Sequence, residues 1–263
     1  MIRVAVIGAG RMGRLVIGEV LDAPDLELVA AFTAPGTPEL GADAGELVGR
    51  GPRGVRVTTL DGGPIDADVA VDFSHPSGVA SAVAQLGATP LVSGTTGLDD
   101  VAAAALDRHA ARAPVLHAAN FSTGVNVLLD LVARAARALP DYDVEIVESH
   151  HRHKRDAPSG TALALGRAAA DARGRRLEEL AVHGRSGDTG ERPVGQIGLH
   201  ALRLGDVAGE HEVFLAGPGE RVALAHLATS RATFAQGALR GARWLVGRPP
   251  GRYDMRDVLG LGA

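Results

Sequence analysis

The chain has no cysteine, which excludes disulfides, thiolate metal sites and cysteine nucleophiles together. Aromatic residues are scarce at 3%, and neither sign of charge dominates, the formal net charge being −4 at pH 7. A surface for nucleic acid or for an anionic membrane needs a basic excess that is missing here. No apolar run reaches the roughly 20 residues of a membrane span. Met1-Ile2-Arg3-Val4 enters an apolar strand directly, without the charged region and cleavage site of a secretory signal. The expectation is a cytoplasmic protein that binds neither nucleic acid nor membrane. What is present, 263 residues of which 46% are hydrophobic, suffices for one large domain or two small ones.

The first half alternates short apolar strands with helical stretches, the pattern of a parallel sheet covered by helices. Strands are expected at Ile2–Ile7, Leu26–Phe32, Val69–Phe73, Pro90–Val92 and Val115–His117, with helices at Met12–Leu21, Gly78–Leu86 and Asp99–Ala111. The segment from Ala34 to Gly63 is rich in Gly, Pro and Thr and reads as loop with one short strand at Val55–Thr58. After Asn120-Phe121-Ser122 the character changes. A helix at Val125–Leu139 leads to the alternating strand Val144–Glu148, then a helix at Thr161–Arg173 and strands at Ile197–Leu204, Glu212–Leu215 and Arg221–Ala228. The fold class expected is α/β: a Rossmann-like dinucleotide-binding domain, then an α+β domain with a largely antiparallel sheet. A last helix is expected at Thr233–Val246, and no internal repeat or low-complexity tail is found.

Ile7-Gly8-Ala9-Gly10-Arg11-Met12-Gly13 places G-x-G-x-x-G between the first strand and the first helix, the context in which that motif binds a dinucleotide. Gly8 permits the tight turn, Gly10 lets backbone approach a pyrophosphate, and Gly13 allows close helix–strand packing. The helix N-terminus stabilises the diphosphate charge. The acid that normally ends the second strand and accepts from the ribose hydroxyls is missing, because the strand ends Ala31-Phe32-Thr33-Ala34. Thr33 offers one hydroxyl, and Arg11 or Arg14 can lean toward a phosphate, so the choice between NADH and NADPH stays open. Ser93-Gly94-Thr95-Thr96-Gly97 and Ala119-Asn120-Phe121-Ser122 also follow strands, at the strand ends where open parallel sheets bind ligands.

The densest chemistry lies in Glu148-Ser-His-His-Arg-His-Lys-Arg-Asp-Ala-Pro-Ser-Gly-Thr161. Three histidines that titrate near neutrality run into a helix-start signature that presents backbone N–H groups. A solvated basic loop is the plain alternative. His150 reads as a general acid able to give a proton as hydride arrives. Lys154 offers a cation to one carboxylate, and Gly160 with Thr161 offers donors to a second, a combination that fits a small dicarboxylate. Clustered histidines also raise zinc, but adjacent and alternate spacing among basic neighbours fits a metal poorly, and none is expected.

This run, with Ser93–Gly97, Asn120–Ser122, Gly205-Asp-Val-Ala-Gly-Glu-His211 and the closing Tyr253–Leu259, resembles the 4-hydroxy-tetrahydrodipicolinate reductase family, long called dihydrodipicolinate reductase. The likeness spans nearly the whole chain. It implies NADH- or NADPH-dependent reduction of a cyclic imine dicarboxylate, with loss of water, in the diaminopimelate route to lysine. Carried over by motif, His150 is the proton donor, Lys154 a second catalytic or carboxylate-holding residue, His151 a substrate contact, and Gly160 and Thr161 the other carboxylate cradle. Gly8, Gly10, Arg11, Met12 and Gly13 line the pyrophosphate; Gly94, Thr95, Thr96, Ala119, Asn120 and Phe121 hold the nicotinamide end. The resemblance further implies a dinucleotide-binding domain of residues 1–121 and 232–263, a substrate and oligomerisation domain of residues 122–231, hinges near Ser122 and Arg231, and a homotetramer. Two departures stand out: one residue fewer between the first two glycines than in many members, and Thr33 where an acid is common. A nicotinamide-dependent dehydrogenase of another small acid and a non-catalytic NAD(H) sensor are the alternative readings.

Overall fold

Continuous apolar runs such as Val4–Ile7 and Val69–Val71 are buried on both faces, as strands of a helix-covered parallel sheet must be. The computed structural model describes residues 1–61 and 63–261. Gly62, in the expected Ala34–Gly63 loop, and Gly262 and Ala263, at the end of the expected first domain, lie outside the described residues. The chain divides into two compact units, one of residues 1–123 with the C-terminal stretch from Ala232, the other Gly124–Arg231.

The first unit holds β1 (Ile2–Ile7), α1 (Arg11–Asp22), β2 (Leu26–Phe32), β3 (Val57–Thr58), β4 (Val69–Asp72), α2 (Val79–Gln85), β5 (Leu91–Ser93), α3 (Asp100–Ala110) and β6 (Pro114–His117). With a late strand, β12 (Gly251–Tyr253), at one edge, its sheet has the order β12-β6-β5-β4-β1-β2-β3, every neighbouring pair parallel. Strand alternation sends Val4 and Val6 into one apolar cluster, with α1 residues Val16, Ile17 and Val20. Ala5 and Ile7 enter another, with Val83 of α2 and Leu106 of α3. Two further elements, one on the sheet face and one at its edge, come from the end of the chain. The helix α7 (Ala232–Leu245) returns to the first cluster through Ala238, Leu239, Ala242 and Leu245. A three-residue strand, β12 (Gly251–Tyr253), which the sequence reading leaves out, then pairs with β6. The helix α8 (Met255–Leu259) closes the chain behind a capping box in which Asp254 and Asp257 satisfy each other's backbone N–H.

The second unit contains α4 (Thr123–Ala138, whose first residue groups with the first unit), β7 (Asp143–His150), α5 (Gly160–Ala172), α6 (Leu177–Leu180), β8 (Ala181–His183), β9 (Ile197–Arg203), β10 (Gly209–Gly217) and β11 (Glu220–Ala228). The expected largely antiparallel sheet is in fact mixed. Its order is β11-β10-β7-β9-β8, with β11, β10 and β7 antiparallel and β7, β9 and β8 parallel. Connection geometry explains the split. The turn between Gly217 and Glu220 reverses the chain at once, whereas α5 and α6 carry it back over the sheet before β8 and so restore the direction of β7. On the helix side, Val144, Ile146, Leu199, Val213 and Leu215 meet Leu128 and Val132 of α4 and Leu165 and Ala169 of α5. That register also places Glu148 and His150 on the helix side, at the end of β7.

Candidate functional site

In the first unit the fingerprint loop is shaped by backbone. Gly8 has φ +92°, and a Cβ there would sit 2.7 Å from the Phe73 carbonyl oxygen, so a side chain is excluded both by conformation and by space. A Cβ on Gly13 would overlap the carbonyl oxygen of Gly8, which brings α1 hard against the turn. Gly10 caps α1 with no side-chain hydrogen bond to the helix N-terminus and has open space where a Cβ would be. This arrangement matches what a diphosphate requires, N–H groups at a helix start with no side chain in front of them. Arg11 is exposed and Met12 half-buried. Arg14 is held by Glu39 at 2.5 Å and by the Ala9 carbonyl at 3.3 Å.

Beside the loop a cleft of about 420 Å³ runs along the ends of β1 and β2, with Gly8, Thr33, Ala34, Asp61, His75 and Ser81 on its walls. Thr33 is there as the sequence places it, its hydroxyl bonded to that of Thr37 at 2.9 Å. Asp61 is the carboxylate of this cleft, and among the described residues lining it there is no lysine or arginine. Nothing in the sequence singles out Asp61 or His75, because they reach the cleft from β3 and β4 through loops without a pattern.

The loop after β5 is organised by a buried acid. Asp72, 1% exposed at the end of β4, accepts from Ser93 and Thr95 hydroxyls at 2.9 Å each and from the Ser74 N–H at 3.0 Å. The Thr95 side chain is therefore engaged inward, while Thr96 faces solvent. Gly94 abuts the Phe73 ring, which a Cβ would overlap. Phe121 is core: 2% exposed, with its ring edge-on to Phe73 at 5.7 Å, it leaves a ligand only its backbone. Asn120 accepts from the Ser122 N–H at 2.8 Å, and Ala119 is exposed.

The second unit gathers ionisable side chains. His150 ends β7, 9% exposed, and its Nδ1 lies against Oε2 of Glu148, which is 1% exposed. The other Glu148 oxygen accepts from the Ser159 N–H at 3.2 Å and from Arg203 at 3.4 Å. His211 on β10 stands edge-on to His150 at 5.3 Å and contacts the Ser159 hydroxyl at 3.0 Å. The same hydroxyl accepts from the Ala162 N–H at 3.1 Å and so caps α5, which puts Gly160 and Thr161 in the first turn of that helix, beside the histidine loop. Burial pushes His150 below the ordinary histidine value, the Glu148 hydrogen bond opposes this, and the positive charges of Lys154 and Arg203 add to it. Burial, with His150, His226 and Lys154 nearby, takes His211 down to about 3.

Lys154 Nζ holds both oxygens of Asp156 at 2.9 Å. Asp156 is exposed, so this pair is cheap to exchange for another carboxylate. His151 accepts from the His153 N–H at 3.2 Å, and its Nε2 is 3.1 Å from the Arg231 guanidinium. The structure thus brings His150, His151, Lys154, Gly160 and Thr161 into one region of the unit. Sequence reasoning gave no role to Glu148, Ser159, Arg203 or His211. The usable signals were the i, i+2 spacing of Glu148 and His150 on one strand face and the helix-start serine. Glu148, His150 and His211 also present three ligand-type atoms within 4.8 Å of one another. They fit a metal badly, because the carboxylate is already taken up by an imidazole, an N–H and a guanidinium.

The family model described as "Dihydrodipicolinate reductase, N-terminus" matches residues 2–121, and the one described as "Dihydrodipicolinate reductase, C-terminus" matches residues 124–259. A curated relative from Alkalilimnicola ehrlichii named 4-hydroxy-tetrahydrodipicolinate reductase is 54% identical, the alignment covering 98% of this chain and 99% of the relative. One of the same name from Rubrobacter xylanophilus is 51% identical, with 98% of each covered. Among solved structures, a dipicolinate-bound dihydrodipicolinate reductase from Paenisporosarcina sp. TG-14 shares the fold with a TM-score of 0.73 at 23% identity, over 97% of both chains. With both family models matched and half the residues shared over full length, the chain belongs to the dihydrodipicolinate reductase family.

Proposed function

We propose that this chain is an NAD(P)H-dependent oxidoreductase that reduces 4-hydroxy-tetrahydrodipicolinate, with loss of water, to tetrahydrodipicolinate in the diaminopimelate route to lysine. The observation that carries this reading is the buried Glu148–His150 pair beside Lys154 and the first turn of α5, in a chain half identical to relatives named for that reaction. A sensor would need no proton donor held against a buried carboxylate.

The fingerprint loop fits the cofactor, since Gly8 and Gly13 leave no room for side chains and Gly10 leaves the α1 N-terminus uncovered. Gly8, Gly10, Arg11, Met12 and Gly13 hold the pyrophosphate, Thr33 the ribose side, and Gly94, Thr95, Thr96, Ala119, Asn120 and Phe121 the nicotinamide end, Thr95 and Phe121 through backbone. When bound, a reduced nicotinamide supplies hydride to a carbon of the conjugated imine. His150 gives its proton to the substrate atom that gains the electron pair. Lys154 leaves Asp156 to hold one substrate carboxylate, the α5 turn at Gly160 and Thr161 holds the other, and His151 touches the substrate beside them. No metal takes part. The dianionic substrate itself favours the protonated imidazole, offsetting the burial that lowers His150.

The domain roles follow: residues 1–121 and 232–263 bind the dinucleotide, and residues 122–231 bind substrate and assemble a homotetramer in the cytoplasm. The sheet face away from α4 and α5 supports assembly. There Val147 and Phe214 are half-buried and Leu227 is 62% exposed, beside a Glu145 whose carboxyl, which burial alone would push up, is held at about 2 by Arg185, His200 and Arg192.

A coupled assay with enzymatically made substrate, following loss of NADH and NADPH absorbance in parallel, tests the activity. Turnover is expected, and no turnover with either cofactor removes the reading. For His150→Gln we expect kcat to fall about 10²- to 10⁴-fold with a smaller change in KM, since the proton moves only in the transition state. An unchanged kcat sinks the proton-donor role.

A further inference from the structure

We propose that Glu148 is a positioning residue for this reaction: its buried carboxylate accepts the Nδ1 proton of His150, so that Nε2 is the nitrogen that delivers a proton to substrate. The inference rests on His150 being the donor. Glu148 and His150 are two apart on β7 and share a face, and the register flanks them, with His211 of β10 opposite Glu148 and Arg203 of β9 opposite His150. A carboxylate 1% exposed is costly unless its lone pairs are filled. Here the filling is asymmetric: Oε1 takes the Ser159 N–H and Arg203, and Oε2 is left for the imidazole. An ion pair serving stability alone has no need of a particular imidazole nitrogen. A tautomer lock does.

The far side of the ring supports the same assignment. A Cβ on Gly209 would lie 3.1 Å from His150 Nε2, so the absence of a side chain there is what leaves Nε2 approachable. The charged and titratable groups facing His150 are Glu148 on its own strand, Arg203 on β9, His211 on β10, and Lys154 with Asp156 in the loop that follows. Among the described residues only Glu148 touches Nδ1, and the cations among the others favour neutral imidazole. The carboxylate is thus the group that favours the protonated ring against burial and the neighbouring cations.

The test uses full-length enzyme with ¹⁵N-labelled histidine and two-bond ¹H–¹⁵N spectra, His150 being assigned by its loss in H150Q. Wild-type His150 above its titration is expected in the Nδ1–H form. An Nε2–H form in the wild type overturns the proposal whether or not the Glu148 variants fold. In Glu148→Gln the His150 titration should move at least one pH unit lower and the Nδ1–H form lose its dominance. In the same variant kcat should fall about 10- to 100-fold with KM within threefold, the basic limb of kcat/KM shifting with the titration. Glu148→Asp should restore part of both. Unchanged tautomer and titration in folded E148Q, or moved ones with wild-type kcat, overturn the positioning role. Full activity in H150Q instead sinks the donor assignment and leaves the tautomer result readable.

Discussion

At the end of β1 the surface offered to a ligand is backbone, whereas at the end of β7 it is ionisable side chains. The first is specified by what is absent: Gly8, Gly10 and Gly13 keep a turn and a helix start bare. Its positive character comes from peptide dipoles, which do not titrate. The second is specified by what is buried, a carboxylate and two imidazoles, with a half-buried guanidinium beside them and both imidazoles pushed below the ordinary histidine value. A site that only grips a diphosphate is served by fixed dipoles, while one that moves a proton needs a group poised to change charge. The two regions should therefore fail in different ways.

The largest effect is expected at Gly13. Gly13→Ala places a methyl into the Gly8 carbonyl, and neither backbone can yield without undoing the strand–helix packing, so we expect a loss of about 3 kcal/mol or more in unfolding free energy. Gly10→Ala, with open space at that point, should change stability by no more than about 1 kcal/mol while weakening NADH binding. Urea unfolding together with NADH fluorescence titration separates the two. Equal stability losses would remove the division between packing glycine and ligand-facing glycine.

Side-chain electrostatics governs the next effect. Lys154→Ala should weaken pyridine-2,6-dicarboxylate binding about 30-fold, roughly 2 kcal/mol, measured calorimetrically, and wild-type affinity should fall as salt rises. The existing pair with exposed Asp156 keeps the loss from being larger, because part of what the substrate gains is given up by that carboxylate. Undiminished affinity in the variant would remove Lys154 from the carboxylate site and with it the sharpest feature of the contrast.

How far the sequence reveals this molecule follows from the same division. Local pattern suffices for β1, β2 and the Gly8–Gly13 turn, where apolar runs and glycine constraints act within ten residues. It also finds the His150 segment, because helix start and histidines are contiguous. It fails for β8 and β12, three-residue strands specified by their neighbours, and for the mixed sheet, since strand direction is decided by connections rather than by composition. That the Phe121 ring is core, leaving only its backbone for a ligand, is not legible either, because burial of one ring depends on Phe73 and α7. The Glu148 partners lie 11 and 55 positions away, so only the folded chain discloses which acid holds the histidine.

The smallest effect is the most specific to the second region. His211 has its folded value depressed to about 3, against about 6.5 when unfolded. Between those values the unfolded chain binds a proton that the folded chain refuses, so His211 makes stability rise with pH through this window and fall away as pH drops from 6.5 toward 3. Above 6.5 both states are neutral there and the dependence vanishes. His211→Gln, which keeps a partner for the Ser159 hydroxyl, should flatten the slope between pH 6 and 5 by about 1 kcal/mol per pH unit, read as hydrogen-exchange free energies at β7 and β10 amides. Gly10→Ala should leave that slope as it is, because the substitution neither adds nor removes a titratable group. A slope unchanged by the His211 substitution would mean that the ring is solvated or protonated in the fold, and the contrast between a dipolar site and a titrating one would then rest on His150 alone.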